Sequence, residues 1–292
     1  MEQPISVDAL LPAEIAEKAE NAGVAKVNLG VYRMMALAVI AGSFIAFGAV
    51  FATTVTTGAA GEMSYGVTKF LGGLAFCLGL ILVILAGAEL FTGNNLVVMA
   101  WMGRKITTWQ VLRSWAVVYV GNFIGSLLTA VGMFLSQQYS FSSGAVGLNA
   151  LNIAQGKVQY GFVQAVVLGL FCNALVCLAV WLCMGARTAS DKILAIIFPI
   201  TAFVAAGFEH SVANMYFIPV GLFIKAGANA DFWASIGKTP ADFAQLTWGN
   251  FFLTNLLPVT IGNIIGGAVM VGLGYWFIYL RPSWTGKPSL RA

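Results

Sequence analysis

Six long apolar stretches organise the chain, at about 34–57, 70–101, 111–135, 161–184, 193–224 and 246–280. A helix that crosses a bilayer needs about 20 residues, so each stretch is long enough. Two are too long. Residues 70–101 and 193–224 each run 32 positions, about 48 Å of unbroken helix at 1.5 Å per residue, against a hydrocarbon core of about 30 Å. Both carry a polar interruption past the midpoint, Glu89-Leu-Phe-Thr-Gly-Asn-Asn95 and Glu209-His-Ser-Val-Ala-Asn-Met215. A short apolar piece then resumes in each, Leu96–Met102 and Tyr216–Ile224. Two broken helices account for this pattern better than two overlong ones.

The interruptions match each other. Asn94 follows Glu89 by five positions, as Asn214 follows Glu209. The next spans carry Gly121-Asn-Phe-Ile-Gly125 and Gly262-Asn-Ile-Ile-Gly266. The offsets are 120 and 141, so spans 1–3 and 4–6 read as two copies of one unit. Three spans per copy force the second into the membrane upside down. The expected fold class is an all-α integral membrane protein of six transmembrane helices, built as two inverted three-helix repeats with helices 2 and 5 broken. In such folds the substrate path lies at the repeat interface, where the helices break. Unwound backbone is tolerated at that depth only beside a cavity or inside protein.

Before the first span, residues 8–20 read as an amphipathic helix, with Leu10, Leu11, Ile15 and Ala19 near one face and carboxylates on the other. It is expected to lie on the membrane surface or fold back on the bundle. The domain organisation is thus an N-terminal cytoplasmic helix within 1–30, a channel domain over 31–281, and a cytoplasmic tail over 282–292. Residues 1–30 hold five acids and no early apolar segment, unlike a signal peptide.

Composition narrows the class. Of 292 residues 9% are charged and 59% hydrophobic, with mean hydropathy +0.86; a soluble surface needs about 25% charged residues. A net charge of +4, spread along the chain, does not suggest nucleic acid. In the six-span reading, eleven Lys and Arg side chains fall on one side and four (Lys69, Lys157, Lys225, Lys238) on the other. Positive charge collects on the cytoplasmic side, which puts both termini there. Cys77, Cys172, Cys177 and Cys183 lie in apolar runs without a CxxC pair, so neither zinc nor any other cofactor is expected.

The few polar groups inside the spans are the candidates. His210 is the single histidine and sits in a break; histidine exchanges a proton near neutral pH. In a narrow lumen its cation attracts a small anion and can hand it a proton. The alternative is a satisfied core histidine. Thr92 lies in the other break, where pseudo-symmetry should bring its donor-acceptor hydroxyl near the same axis. Glu89 and Glu209, the only acids within the spans, would repel an anion if bare, so they read as braces for the broken helix ends, with direct proton relay as the alternative. Asn94 and Asn214 are expected to hold their loops likewise. Lys157, just before span four, either draws anions into an outer vestibule or anchors the interface. Asn122 and Asn263 suit helix packing, with Asn263 a candidate for facing the lumen.

The segments Ala-Glu-Leu-Phe-Thr-Gly (88–93), Gly-Phe-Glu-His-Ser-Val-Ala-Asn-Met (207–215), Ile-Pro-Val (218–220) and Pro-Val-Thr-Ile-Gly-Asn (258–263) together resemble the formate/nitrite transporter family, the formate channels above all. The resemblance covers about residues 30–280. It implies an aquaporin-like protomer in a homopentamer of the cell inner membrane, each protomer with its own pore. It also implies Leu80 and Phe203 at a cytoplasmic constriction, and Phe76, Leu90 and Phe91 as apolar pore positions nearer the centre and outside. Lys157, Asn173, Val176 and Asn263 match vestibule or pore-lining positions. An N-terminal helix involved in gating and pyruvate formate-lyase as a partner are further implications. After the threonine, Gly93-Asn94-Asn95 departs from the small hydroxyl residues frequent in formate-type members, and Gly93 resembles nitrite-type relatives.

The leading expectation is a channel or proton-linked facilitator for formate and similar small monovalent weak-acid anions. An apolar constriction favours the neutral acid over its anion, and His210 with Thr92 could supply the proton. The rival within the class is simple anion conduction. The alternative substrate reading is a nitrite or hydrosulfide channel. A water or glycerol channel would carry Asn-Pro-Ala at both breaks, and no Asn-Pro occurs. An enzyme is not expected, since one histidine cannot supply two haem ligands and no nucleophile–base pair is evident.

Overall fold

Backbone amides with no water nearby must bond to one another, and the chain is helical over most of its apolar runs. The computed structural model describes residues 8–281; the tail expected over 282–292 lies outside the described residues. In chain order the helices are α1 (Pro12–Val27), α2 (Val31–Val55), α3 (Tyr65–Leu85), α4 (Val98–Met102), α5 (Thr108–Leu135) and α6 (Ala145–Lys157). Then come α7 (Phe162–Gly185), α8 (Ala189–Ala205), α9 (Ser211–Gly227), α10 (Ala230–Ile236) and α11, a continuous helical run over 248–280. Among the described residues, five helical runs are long and apolar enough to cross a membrane: α2, α3, α5, α7 and Pro240–Leu280, which contains α11. The 17-residue α8 and α9 are shorter pieces of the stretch 193–224.

Helix boundaries follow local chemistry more closely than the apolar pattern does. Thr107 caps α5, its hydroxyl accepting from the Gln110 amide while Gln110 returns a bond to the Thr107 amide. Thr188 and Asp191 do the same for α8. These caps start both helices a few residues before the apolar runs. Overlong stretch 70–101 resolves into α3, a non-helical turn from Ala86 to Thr92, a 3-10 turn Gly93–Val97 and α4. Stretch 193–224 resolves into α8, a turn over 206–210 and α9. Gly87 and Gly207 take φ of +78° and +73°, a region that glycine enters without steric cost. The helical pieces beyond the two turns are unequal: ten residues after the first, seventeen after the second.

Glycines set the closest helix contacts. A Cβ at Gly121 would run into Ala38 and the Met35 carbonyl, and one at Gly262 into the Val166 carbonyl. At Gly125 and Gly266 it would meet the carbonyls of Val39 and Leu170. Thus α5 packs on α2 as α11 packs on α7, residue for residue. Three stretches of α11 (Phe251–Leu256, Ile265–Leu273 and Trp276–Leu280) are π-helical.

Helix α1 folds back on the bundle, against the 3-10 turn, α4 and α7. Its buried face is Ile15, Ala16, Ala19, Glu20, Gly23 and Val27. Two expectations need correction. Leu11 is exposed, because the helix begins after it. Glu20 is buried rather than solvent-facing, because Lys105 pairs with it. Helix α6 has no counterpart among the six apolar stretches.

Candidate functional site

The two turns are held by the same contacts, made twice. The Glu89 amide donates to the Leu37 carbonyl, and the Glu209 amide to the Leu168 carbonyl. Asn122 Nδ2 donates to the carbonyls of Ala38 and Glu89, while its Oδ1 accepts from the Phe91 amide. Asn263 Nδ2 donates to the carbonyls of Gly169 and Glu209, while its Oδ1 accepts from the Ser211 amide. Matching residues stand 131 apart before the turn, 120 apart within it and 141 apart after it. Each asparagine thereby satisfies a carbonyl and an amide of its turn that burial would otherwise leave unpaired, at about 1–3 kcal/mol each, and ties the turn to a carbonyl of the neighbouring helix.

The two acids do not reach helix-end amides. Glu89 accepts from Asn94 at 2.6 Å and pairs with Lys26 at 2.7 Å. Glu209 accepts from Asn214 at 2.7 Å and from Asn255 at 3.2 Å, and pairs with Lys157 at 2.9 Å. Lys157 is therefore matched by a carboxylate rather than bare. Lys26 and Asn255 were not singled out by the motifs. Lys26 carries a signal all the same: it stands 131 before Lys157, the separation of Leu37 from Leu168.

Thr92 and His210 come together between the turns. Thr92 Oγ1 lies 2.9 Å from His210 Nε2, and both residues are buried. His210 also caps α9, its Nδ1 accepting from the Ala213 amide at 3.1 Å. A ring nitrogen that accepts carries no proton, so the neutral ring holds its proton on Nε2 and donates to Thr92. The Thr92 hydroxyl proton is then left for another acceptor. Protonating Nδ1 would break the cap.

A cavity borders each turn; His210 lines one of the two, and Thr92 lines neither. One, about 210 Å³, is lined by Lys18, Lys26 and Lys192 with Leu80 and Leu90. The other, about 360 Å³, is lined by Lys69, Lys157 and Glu209 with Phe76, Phe203 and His210. Tyr160 also faces the second; burial, with the Glu209 charge adding, pushes its phenol up to about 12, so it stays a neutral hydroxyl.

Several expected pore positions fall elsewhere. Leu80 and Phe203 do not share a constriction, because α3 and α8 run antiparallel: Gly73 packs on Thr201, and Cys77 lies between Ile197 and Thr201. Phe203 is thus level with Phe76, their rings 5.7 Å apart edge to face, while Leu80 opens on the other cavity. Phe91 and Val176 line neither cavity; the Phe91 ring packs on Tyr119 and Trp115. Asn263 does not face a cavity, since its amide is fully engaged by backbone. Asn173 donates to the carbonyls of Thr92 and Asn263 and lines neither of the two cavities. Among the described residues no three His, Cys, Asp or Glu side chains gather where a metal could bind.

Known proteins share the sequence and the fold. The profile of the family described as "Formate/nitrite transporter" matches residues 13–277. The formate channel FocA of Escherichia coli strain K12 is 47% identical over 274 residues, covering 94% of this chain and 96% of that one. A solved structure described as a pentameric formate channel with formate bound superposes with TM-score 0.79 at 46% identity, covering 86% of this chain and 98% of the other. A more distant solved ion channel of the same family, 26% identical, superposes with TM-score 0.77 over 91% of this chain and 98% of its own.

Proposed function

The chain belongs to the formate/nitrite transporter family, and from that premise we propose that it conducts formate and similar small monovalent weak-acid anions across the cytoplasmic membrane. It is a multi-pass membrane protein of a family of channels and transporters, not an enzyme. The observation that carries the proposal is the buried Thr92–His210 pair, 2.9 Å apart, with a lysine-lined cavity bordering each of the two turns.

In this reading α8 and α9 form one broken span and α3 with α4 another, giving six. The contacts repeated at Asn122 and Asn263 support two inverted repeats. The 11-to-4 division of Lys and Arg supports cytoplasmic termini, with the Lys26 cavity facing the cytoplasm and the Lys157 cavity facing outward. A pentamer follows by analogy with the relative described as one. Pyruvate formate-lyase stays the soluble partner implied by the resemblance, and pull-down on the purified channel tests it.

The mechanism follows from the pair. An anion entering a cavity meets lysine charge, then apolar side chains: Leu80 and Leu90 on one side, Phe76 and Phe203 on the other. Desolvation there favours the neutral acid. The Thr92 hydroxyl donates to a carboxylate oxygen. When His210 has taken a second proton on Nδ1, Nε2 passes its proton to Thr92 as Thr92 passes its own to the carboxylate. Imidazolium and carboxylate become imidazole and carboxylic acid, and the neutral acid crosses. His210 lines the outer cavity, through which water re-protonates it.

Formate uptake into proteoliposomes under an imposed pH gradient tests this. His210→Phe is expected to lower uptake at least tenfold and flatten its pH dependence; unchanged uptake and pH profile would end the proton-transfer mechanism. Competition among formate, nitrite, hydrosulfide, acetate and lactate ranks the substrates.

A further inference from the structure

The Thr92 main chain is tethered by side chains that the transport mechanism does not use. Its carbonyl accepts from Asn173 Nδ2 and from Cys177 Sγ, both at 3.3 Å. The second hydrogen of that amide goes to the Asn263 carbonyl at 2.7 Å. Asn173, Cys177 and Thr92 are all fully buried. Space for the two side chains comes from Gly267 on α11. A Cβ there would collide with Asn173 Nδ2, approach Cys177 Sγ to 2.8 Å and Asn95 Cβ to 2.9 Å.

The other half solves the same problem with the residue types exchanged. At separations of 131, 120 and 141, Asn173 corresponds to Gly42, Cys177 to Ala46, Thr92 to Val212 and Gly267 to Ser126. The Val212 carbonyl is reached by Ser126 Oγ at 3.5 Å, and the same hydroxyl lies 3.2 Å from the Gly42 carbonyl. A Cβ at Gly42 would run into the Asn122 carbonyl, the counterpart of the Asn263 carbonyl that the Asn173 side chain meets. In one half the polar side chain comes from the first helix and the last helix supplies the glycine. In the other half the last helix supplies the hydroxyl and the first helix the glycine. Either way, a donor holds a carbonyl at the start of the second helical piece, that of Thr92 itself in one half and that of Val212, two residues after His210, in the other.

We propose that Asn173 and Cys177 are positioning residues that fix Thr92 against His210, and that Gly267 is side-chain-free to admit them. The donor–acceptor line between Thr92 Oγ1 and His210 Nε2 is only 2.9 Å, and hydrogen bonds and proton transfer weaken steeply with misplacement. A loop free to shift by a fraction of an ångström would lose the relay while the fold stayed intact. The inference rests on the Thr92–His210 reading, and the experiment separates the two.

Formate uptake is measured in proteoliposomes across a pH series, on variants that elute like wild type in detergent. Thr92→Ala tests the underlying reading: unchanged uptake overturns that reading, whatever the other variants do. Asn173→Gly alone and Gly267→Ser alone are each expected to lower uptake roughly tenfold and distort the pH profile, the loss of one or two buried hydrogen bonds. The triple variant Asn173→Gly/Cys177→Ala/Gly267→Ser copies Gly42, Ala46 and Ser126 onto this half. It is expected to return uptake to within about threefold of wild type with the wild-type pH profile, because the serine hydroxyl then reaches the Thr92 carbonyl. Uptake by the triple variant no better than by the singles overturns the positioning role, as does wild-type behaviour of Asn173→Gly where Thr92→Ala is impaired. Two milder variants decide the matter if the triple misfolds. Cys177→Ser keeps a donor and should keep uptake and pH profile; Cys177→Val keeps bulk without a donor and should lose about threefold. Equal uptake by the two overturns the proposal.

Discussion

At residue scale, Glu209 holds a Lys157 side chain 16% exposed, whereas Glu89 holds a Lys26 side chain 29% exposed. Removing one partner of a buried ion pair costs about 3–5 kcal/mol, and an exposed pair is worth about 0–1 kcal/mol. Glu209→Gln should therefore destabilise the protein by roughly 3 kcal/mol, and Glu89→Gln by clearly less, read from denaturant titration in detergent. Adding Lys157→Met to Glu209→Gln should return more than half of the loss, because the stranded charge is gone. His210 admits a similar separation of roles. Asn at that position keeps an oxygen for the Ala213 amide, so His210→Asn should hold the melting temperature near wild type while formate uptake falls as in His210→Phe. His210→Phe should also lose about 1 kcal/mol of helix capping. The cap was not visible in the motif Gly-Phe-Glu-His-Ser, since nothing in the residue order says which ring nitrogen faces the helix.

At the scale of elements, tolerance of a methyl group depends on what faces it. At Gly262 a Cβ would meet the Val166 carbonyl, a backbone atom that cannot rotate away, whereas at Gly66 in α3 nothing lies within 4 Å. Gly262→Ala should cost about 2 kcal/mol or more through overpacking, seen as a lower melting temperature. Gly66→Ala should be neutral or stabilising by up to about 1 kcal/mol. The paired Gly-Asn-x-x-Gly segments were legible as a repeat, because identical packing demands identical small residues. Helix α6 was not legible: at 13 residues with a polar Asn149, Asn152 and Gln155, it lacks the apolar run that marks the spans. Its correspondence to α1 emerges only when Lys157 and Lys26 are seen on matching carboxylates.

At the scale of the molecule, the proposed six spans and the 11-to-4 division of basic residues predict that both termini face the cytoplasm. An alkaline phosphatase fused after Arg281 should be inactive in cells, and a fluorescent protein at the same point should fold and shine. An active phosphatase would mean that the chain crosses an odd number of times. The membrane class, the six apolar stretches, the two polar turns and the residues Thr92 and His210 were all readable in the linear order. Hydrophobicity and residue spacing are local properties, and a charge deep in an apolar run is conspicuous wherever the chain later folds. Which side chains meet is a property of packing. Only the antiparallel course of α3 and α8 put Phe203 beside Phe76 rather than Leu80, and only the fold turned Asn173 and Asn263 from lumen-facing candidates into clasps on backbone carbonyls. A buried amide and a pore-lining amide look the same in one dimension; the unsatisfied backbone beside it decides which one it becomes.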